Sequence, residues 1–355
     1  MPNSGSQVVL CDLPVRFDTY VGCSHGCRYC FVSRKFNIAN IRKGESAASL
    51  RHFIAGKRTE TTKWCDFDIP LHWGGMSDPF QPIERTAHQS LEALKVFAET
   101  GYPFVVSTKS DLIAEEPYFS LLKQCNCVVQ FSACGTSFND IEPGATPYAG
   151  RLEAAAKIAP YKRVNIRLQP YIPAMFAATL KELPHLADIG VHGIIVEGMK
   201  FTKKRVGTEK LCNDFVFPTR VLIPQFRALR EKAHSLGMKF YCAENRLRDM
   251  GDELCCCGIE GMGWKVNTLN LNHILFDRDS VTVTPAMKER GGYKAFASIH
   301  QTTLFAKNSA EKSFEDCMWD EARMPQPFLD GGGYSTKNLN TKALKPMFEA
   351  LKVAV

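Results

Sequence analysis

The chain has 355 residues, of which 45% are hydrophobic and 23% charged, a composition that supplies an ample core and excludes a disordered or fibrous polypeptide. No apolar run approaches membrane-spanning length, and the start MPNSGSQVVLCD lacks a basic region followed by a hydrophobic core, so a cytoplasmic protein with no membrane partner is expected. The formal net charge of +7 decides little about partners, while fourteen cysteines without such a leader point to reduced thiols and metal ligation rather than to a disulfide framework.

In chain order, a β-favouring run over 15–21 leads into YVGCSHGCRYCF, which places Cys23, Cys27 and Cys30 within eight residues. Thiolates are soft ligands that hold iron–sulfur clusters, and four are needed to fill every iron of a [4Fe–4S] cube. Three leave one iron open to a substrate or cofactor. The alternative is a structural zinc site with His25 as fourth ligand, for which Cys23 and His25 stand closer than usual zinc-ligand spacing. Residues 34–63 follow with Arg34, Lys35, Arg42, Lys43, Arg51, Lys57, Arg58 and Lys63 against Glu45 and Glu60. Such an excess either collects phosphates or is a solvated helix face, with Phe36 and Phe53 as sparse stacking aromatics.

From residue 69 the pattern alternates between short apolar runs and longer helical periodicity. Strands are expected over 69–73, 103–108, 127–131, 163–168, 193–196 and 238–242, and helices over 84–99, 117–124, 148–158, 178–189 and 218–236. Repeated βα units imply an α/β fold with a parallel sheet. Periodicity alone does not separate a complete or partial barrel from an open doubly wound sheet. In barrels of this kind function collects where the βα loops converge, at the carboxyl ends of the strands.

The loop WGGMSDPFQPIE, residues 73–84, is the first such end. Gly74 and Gly75 let backbone approach a ligand, Asp78-Pro79 forces a turn, and read alone the segment is an ordinary strand-to-helix connection. Taken together, GCSHGCRYCF, with its three-then-two spacing and Tyr29 before the last cysteine, and SDPFQPIE resemble the radical S-adenosylmethionine (radical SAM) enzymes of the spore photoproduct lyase-related branch. The resemblance spans residues 15–245. It implies a partial (β/α)6-type TIM barrel of parallel strands, a [4Fe–4S] cluster on Cys23, Cys27 and Cys30, and S-adenosylmethionine (AdoMet) chelated on the open iron. It also implies a one-electron reductant such as flavodoxin or ferredoxin, and a 5′-deoxyadenosyl radical as the reactive species. Tyr29 would pack near the adenine, Gly74, Gly75, Ser77 and Asp78 would hold the methionine amine, and Lys109 and Arg167 would meet its carboxylate or the ribose. One departure stands out: Gly75 and Met76 occupy the place where the lyase carries a hydrogen-donating cysteine, so the lyase's own reaction is not carried over.

Other strand ends carry further candidates. Read from the residues alone, Lys109 is a compact cation for a carboxylate or a lysine capping a strand, and Arg167 is a planar fork for a ligand or an ordinary salt-bridge partner. Cys134 is a candidate hydrogen donor, and Glu197 and Glu244 are candidate general bases or substrate-orienting groups. Lys200, Lys203, Lys204 and Arg205 either extend a basic rim or form a solvated loop. Cys255, Cys256 and Cys257 with Cys242 could supply two or three ligands to an auxiliary cluster or zinc ion, donate hydrogen or relay electrons, or be buried loop thiols. The scattered Cys11, Cys65, Cys125, Cys127, Cys212 and Cys317 read as small core residues. The alternation fades after residue 276, so a radical SAM partial-barrel domain over 1–276 and an irregular C-terminal extension over 277–355 are expected, the latter punctuated at Gly291-Gly292 and Gly331–Gly333 and ending in a helix over 341–355. For the substrate, a nucleic-acid base in DNA or RNA, as a lesion or modified nucleotide, is favoured. A peptide or small metabolite, and a non-enzymatic Fe–S or zinc protein that senses redox state or binds nucleic acid, are the alternatives.

Overall fold

Val, Ile and aromatic residues suit a pleated, half-buried surface, and the short runs rich in them form the strands. The computed structural model describes residues 1–4, 11–34, 37–65, 68–211, 214–282 and 285–288. Its strands are β1 (Asn3–Ser4), β2 (Val15–Phe17), β3 (Tyr20–Val21), β4 (Arg42–Lys43), β5 (Leu71–Trp73), β6 (Phe104–Thr108), β7 (Cys127–Ser132), β8 (Arg163–Tyr171), β9 (Gly193–Gly198), β10 (Lys200–Phe201), β11 (Glu209–Leu211), β12 (Asp214–Val216) and β13 (Lys239–Cys242). The main sheet has the order β1-β2-β5-β6-β7-β8-β9-β13. β1 runs antiparallel to β2, and every other neighbouring pair is parallel. Each of the six expected strands is present, and the run at 15–21 supplies a seventh parallel strand. Among the described residues β2 and β13 do not pair, so the α/β sheet is of the expected partial-barrel kind and is not closed.

Between the strands lie α1 (Ala47–Ile54), α2 (Glu84–Ala87), α3 (Gln89–Thr100), α4 (Tyr118–Leu122), α5 (Tyr148–Ile158), α6 (Phe176–Asp188) and α7 (Thr219–Ser235). Strand residues alternate between two faces. Phe104, Val106, Val129, Phe131, Ile166 and Phe240 lie in one large core with Phe97 of α3, Leu152 of α5, Leu183 of α6 and Phe226 of α7. Each such fully buried side chain contributes about 1.5–3 kcal/mol. The alternate positions, among them His72, Ser107, Gln130, Asn165 and Arg167, make the opposite, inner face polar. This division sets helices on one side and ligand-capable groups on the other.

The helix expected over 84–99 is instead two helices that break at His88, whose φ of 53° is left-handed. The physical reason is a cap. The buried Glu84 carboxylate accepts from the backbone N–H of Ser90 at 2.9 Å and of Leu91 at 2.8 Å, satisfying donors that the start of α3 leaves unpaired. A second difference is a three-stranded antiparallel sheet, β10-β12-β11, directly after β9, where the sequence indicated only a basic loop. The basic excess of 34–63 is partly committed to packing: Arg51 pairs with Glu99, Lys63 with Glu60, and Arg58 donates to the carbonyls of Phe53 and Cys65. Lys35, Phe36, Cys212, Cys317, the glycine-marked loops and the helix expected over 341–355 lie outside the described residues.

At the amino end of the inner face, Leu13, Val105, Val128, Cys257 and Ile259 form a small core of their own. Beside it the Glu260 carboxylate accepts from His192 Nε2 at 2.8 Å and from the Tyr241 hydroxyl at 2.7 Å. Burial alone would raise the Glu260 carboxyl, but the His192 and Tyr241 hydrogen bonds outweigh it and bring it down to about 2. A depressed carboxylate stabilises the fold above its unfolded value near 4.5 and loses that contribution as pH falls toward 2. Glu260→Gln is therefore expected to cost about 2–3 kcal/mol at pH 7 and roughly half of that at pH 3, read by urea unfolding at both pH values. A difference that does not change with pH would contradict this.

Candidate cofactor site

The cysteine loop leaves β3 at Gly22, which has φ +88°; a Cβ there would sit 2.7 Å from the carbonyls of Ile38 and Asn40, so only glycine fits. Cys23 N–H then donates to Ile38 O at 2.8 Å. All three thiols are half-buried. Burial pushes Cys23 up to about 12, with Asp78 adding to the effect, and pushes Cys27 up to about 11 against the opposing pull of the Lys109 ammonium. Ligation of iron would thus displace protons from this loop.

His25 does not complete a zinc site. Its Nδ1 faces Gly144 O at 2.8 Å and its Nε2 lies 3.0 Å from Asp78 Oδ2, so both ring nitrogens face protein oxygens. Among the described residues no three His, Cys, Asp or Glu side chains converge on a point that could hold a single metal ion. Three thiols on one loop with no fourth side-chain ligand at hand fit a group in which each thiolate takes a different iron and one position stays open.

The segment after β5 is fastened to this loop. Gly74 has φ +88°, and a Cβ on it would meet Ser107 O at 2.4 Å; at Gly75 a Cβ would approach Arg16 Cδ to 3.1 Å. The Ser77 hydroxyl donates to Gly22 O. The fully buried Gln81 amide donates to Gly22 O at 3.0 Å and to Ser77 Oγ at 3.0 Å, while its carbonyl accepts from Ser24 N–H at 2.9 Å. Asp78, placed among the cofactor residues by the sequence, is fully engaged within the protein. It accepts from Thr108 Oγ1 at 2.8 Å, Phe80 N–H at 2.9 Å and Lys109 N–H at 2.7 Å, besides facing His25. Burial alone would raise the Asp78 carboxyl; His25 and the backbone donors outweigh it and hold it below the usual carboxylate range.

A third element was missed by sequence reasoning. Residues 141–144 run against the cysteine loop: Arg28 N–H donates to Ile141 O at 2.9 Å and Gly144 N–H to His25 O at 2.9 Å. A Cβ on Gly144 would lie 2.3 Å from Ser24 O. Glu142, 2% exposed, accepts from the Tyr29 hydroxyl and from Arg151, and Lys109 Nζ lies 3.0 Å away. Burial would raise its carboxyl, but Lys109 and Arg151 hold it below the usual range. The one signal in the sequence was an acid directly before Pro143-Gly144.

Across the inner face a polar chain joins β5, β6, β7, β8 and β9 and ends on Lys200 of β10. His72 Nε2 lies 3.1 Å from Ser107 Oγ, Ser107 donates to Gln130 Oε1 at 3.0 Å, and Arg167 Nη1 donates to the same oxygen at 2.6 Å. Arg167 Nε donates to Gln169 Oε1 at 3.0 Å, Gln169 donates to Glu197, and Glu197 pairs with Lys200 at 3.3 Å. Since arginine only donates and an ionised glutamate only accepts, the direction of every link is set. Burial, helped by Arg167 and Arg16, brings His72 down to about 3, so it is neutral.

Glu244 is buried beside Gly198, with Oε1 accepting from Arg246 Nε at 2.8 Å. Against the pull of burial, its charge joins that of Glu197 in holding the Lys200 ammonium up, so it borders the chain that ends there. Cys134 is buried with its Sγ 3.9 Å from Arg167 O, and burial raises its thiol to about 12. Cys242 lies in the helix-facing core, whereas Cys255, Cys256 and Cys257 pack on the inner side with Leu13 and Val105. The grouping of these four as an auxiliary metal site is not what the fold produces.

No family model matches the chain. Over 198 residues it is 24% identical to a radical SAM Nalpha-GlyT isomerase of Pseudomonas phage M6; the match covers 49% of this chain and 37% of that relative, so the chain spans well under half of the relative's length. Among solved structures, a spore photoproduct lyase variant with bound AdoMet and dinucleoside spore photoproduct matches with a TM-score of 0.53 at 16% identity, over 64% of this chain and 76% of that chain. Spore photoproduct lyase complexed with dinucleoside spore photoproduct matches with a TM-score of 0.52 at 17% identity, over 65% and 77%. The chain is thus similar over about half its length to a radical SAM enzyme and shares the fold of spore photoproduct lyase.

Proposed function

We propose that this protein is a radical SAM enzyme that acts on a nucleic-acid base, with a [4Fe–4S] cluster on Cys23, Cys27 and Cys30 and AdoMet at the cluster's open iron. The observation that carries the reading is the cysteine loop, whose three half-buried thiols have no fourth side-chain ligand among the described residues and which Ser77, Asp78, Gln81 and residues 141–144 brace from two sides. When bound, these groups supply a 5′-deoxyadenosyl radical after one-electron reduction, so a flavodoxin- or ferredoxin-like donor is part of the proposal. The residues of this chain bind and orient. Gly74 and Gly75 leave backbone accessible beside the loop, Lys109 offers a cation to the amino-acid carboxylate, Tyr29 borders the adenine side, and Arg167 is held for the ribose or carboxylate by two glutamine carbonyls. Asp78 serves by organising the loop. Glu197, on the same chain of hydrogen bonds, orients the substrate, and Cys134, against Arg167 O, is the candidate hydrogen donor. A cytoplasmic, reducing setting goes with free thiols of this kind; among the described residues no helix is long and apolar enough to cross a membrane.

Two things support a base as the substrate: the fold-level likeness to an enzyme solved with a dinucleoside lesion, and the sheet that follows β9. Between β10 and β11, Lys203, Lys204, Arg205 and Val206 are exposed, and the three cations make no ion pair with any described residue. They stand next to the carboxyl end of β9, where a phosphate backbone would pass. Reversing all three charges to glutamate is expected to weaken binding to DNA or RNA at least tenfold at about 100 mM salt and to lower the log–log salt slope by about 2–3. Equal affinity and slope for wild type and variant would count against a nucleic-acid substrate.

A further inference from the structure

The Lys109 ammonium is buried, yet among the described residues no acceptor completes a hydrogen bond with it. It is held instead by position: Nζ is 3.0 Å from Glu142 Oε1 and 5.6 Å from the centre of the Tyr29 ring, its backbone N–H is fixed on Asp78, and its carbonyl accepts from Thr146 N–H at 3.1 Å. Glu142 also takes the Tyr29 hydroxyl and one arm of Arg151, whose Nε and Nη1 donate to the carbonyls of Thr146 and Ser132 at 2.6 and 2.8 Å. Two cations share one carboxylate here, leaving spare ammonium donors beside the cysteine loop.

We propose that Glu142 is a positioning residue of the cofactor site, holding Lys109 and Tyr29 in one fixed arrangement relative to Cys27 and Cys30 so that an anionic group of the cofactor meets a preset ammonium. The inference rests on the reading of the site given under Proposed function. It differs from a purely structural role in one respect: Glu142 and Lys109 act on cofactor affinity as a unit, and residues that act as a unit are non-additive on mutation.

The test is a double-mutant cycle of Glu142→Gln and Lys109→Met in anaerobically reconstituted protein, with AdoMet affinity measured by equilibrium dialysis, without turnover, and iron content and melting temperature measured alongside. Expected are wild-type iron in both single variants, an AdoMet Kd raised about tenfold in each, and a double variant no worse than the weaker single. Unchanged affinity in Glu142→Gln, or losses that multiply, would overturn the positioning role. If Glu142→Gln does not fold, Tyr29→Phe removes one hydroxyl from the same carboxylate; a loss of about threefold or more supports the role and no loss overturns it. Wild type that binds no AdoMet would instead sink the reading of the site itself.

Discussion

Cys27→Ala is expected to fold and yet to retain less than about a tenth of the wild-type iron after anaerobic reconstitution, because with two thiolates only two of the cube's irons keep a protein ligand. Cys23→Ala and Cys30→Ala should do the same. The fold should tolerate the change since these thiols are half-buried and belong to a loop, not to the sheet. Cys127→Ala is the informative control. That thiol is buried in the helix-facing core, so its removal should cost about 1–2 kcal/mol of stability and leave the iron content untouched. The triple Cys255→Ala, Cys256→Ala, Cys257→Ala variant should also keep full iron, as these thiols pack against Leu13 and Val105. Iron retained in Cys27→Ala at the wild-type level would remove the cluster from this loop.

Asp78→Ala is expected to be the most destabilising single change at the site, by about 3–5 kcal/mol in urea unfolding, with poor cluster assembly in what remains folded. The carboxylate is buried, accepts from Thr108 Oγ1 and the backbone N–H groups of Phe80 and Lys109, and faces His25 Nε2. Removing it leaves three donors unmet in a place that water does not reach, and unties the cysteine loop from the ends of β5 and β6. Asp78→Asn keeps the shape and one acceptor and should lose roughly half as much. A loss under about 1 kcal/mol in Asp78→Ala would show that the loop stands by its own hydrogen bonds.

The parallel strands were legible in the sequence because each is a dense apolar run on the side that meets the helices, and the order of the sheet follows the order of the chain. The break at His88 was not, since apolar periodicity runs on through it; the cap depends on where the Glu84 side chain folds back. The β10–β12 sheet was hidden because its strands are only two or three residues long and mix charged with apolar positions. In the site, Cys23, Cys27 and Cys30 were legible as local spacing. Asp78 was legible as a site residue, but its bonds lie with His25 and Thr108, far along the chain. Glu142 was not legible at all, since its partner Tyr29 is 113 residues away and a single acid in a turn carries no pattern. Cys242 misled for the opposite reason: its nearness in sequence to Cys255–Cys257 hides that it points to the other face of the sheet.

The central claim is that three thiolates and one open iron cleave AdoMet here. The direct measurement is 5′-deoxyadenosine formed by anaerobically reconstituted, chemically reduced protein, quantified against AdoMet with Cys27→Ala in parallel. The account predicts 5′-deoxyadenosine from the wild type, in more than one equivalent per cluster over time, and none above background from the variant. Reconstituted wild type that carries its full iron, accepts an electron and still yields no 5′-deoxyadenosine would contradict it.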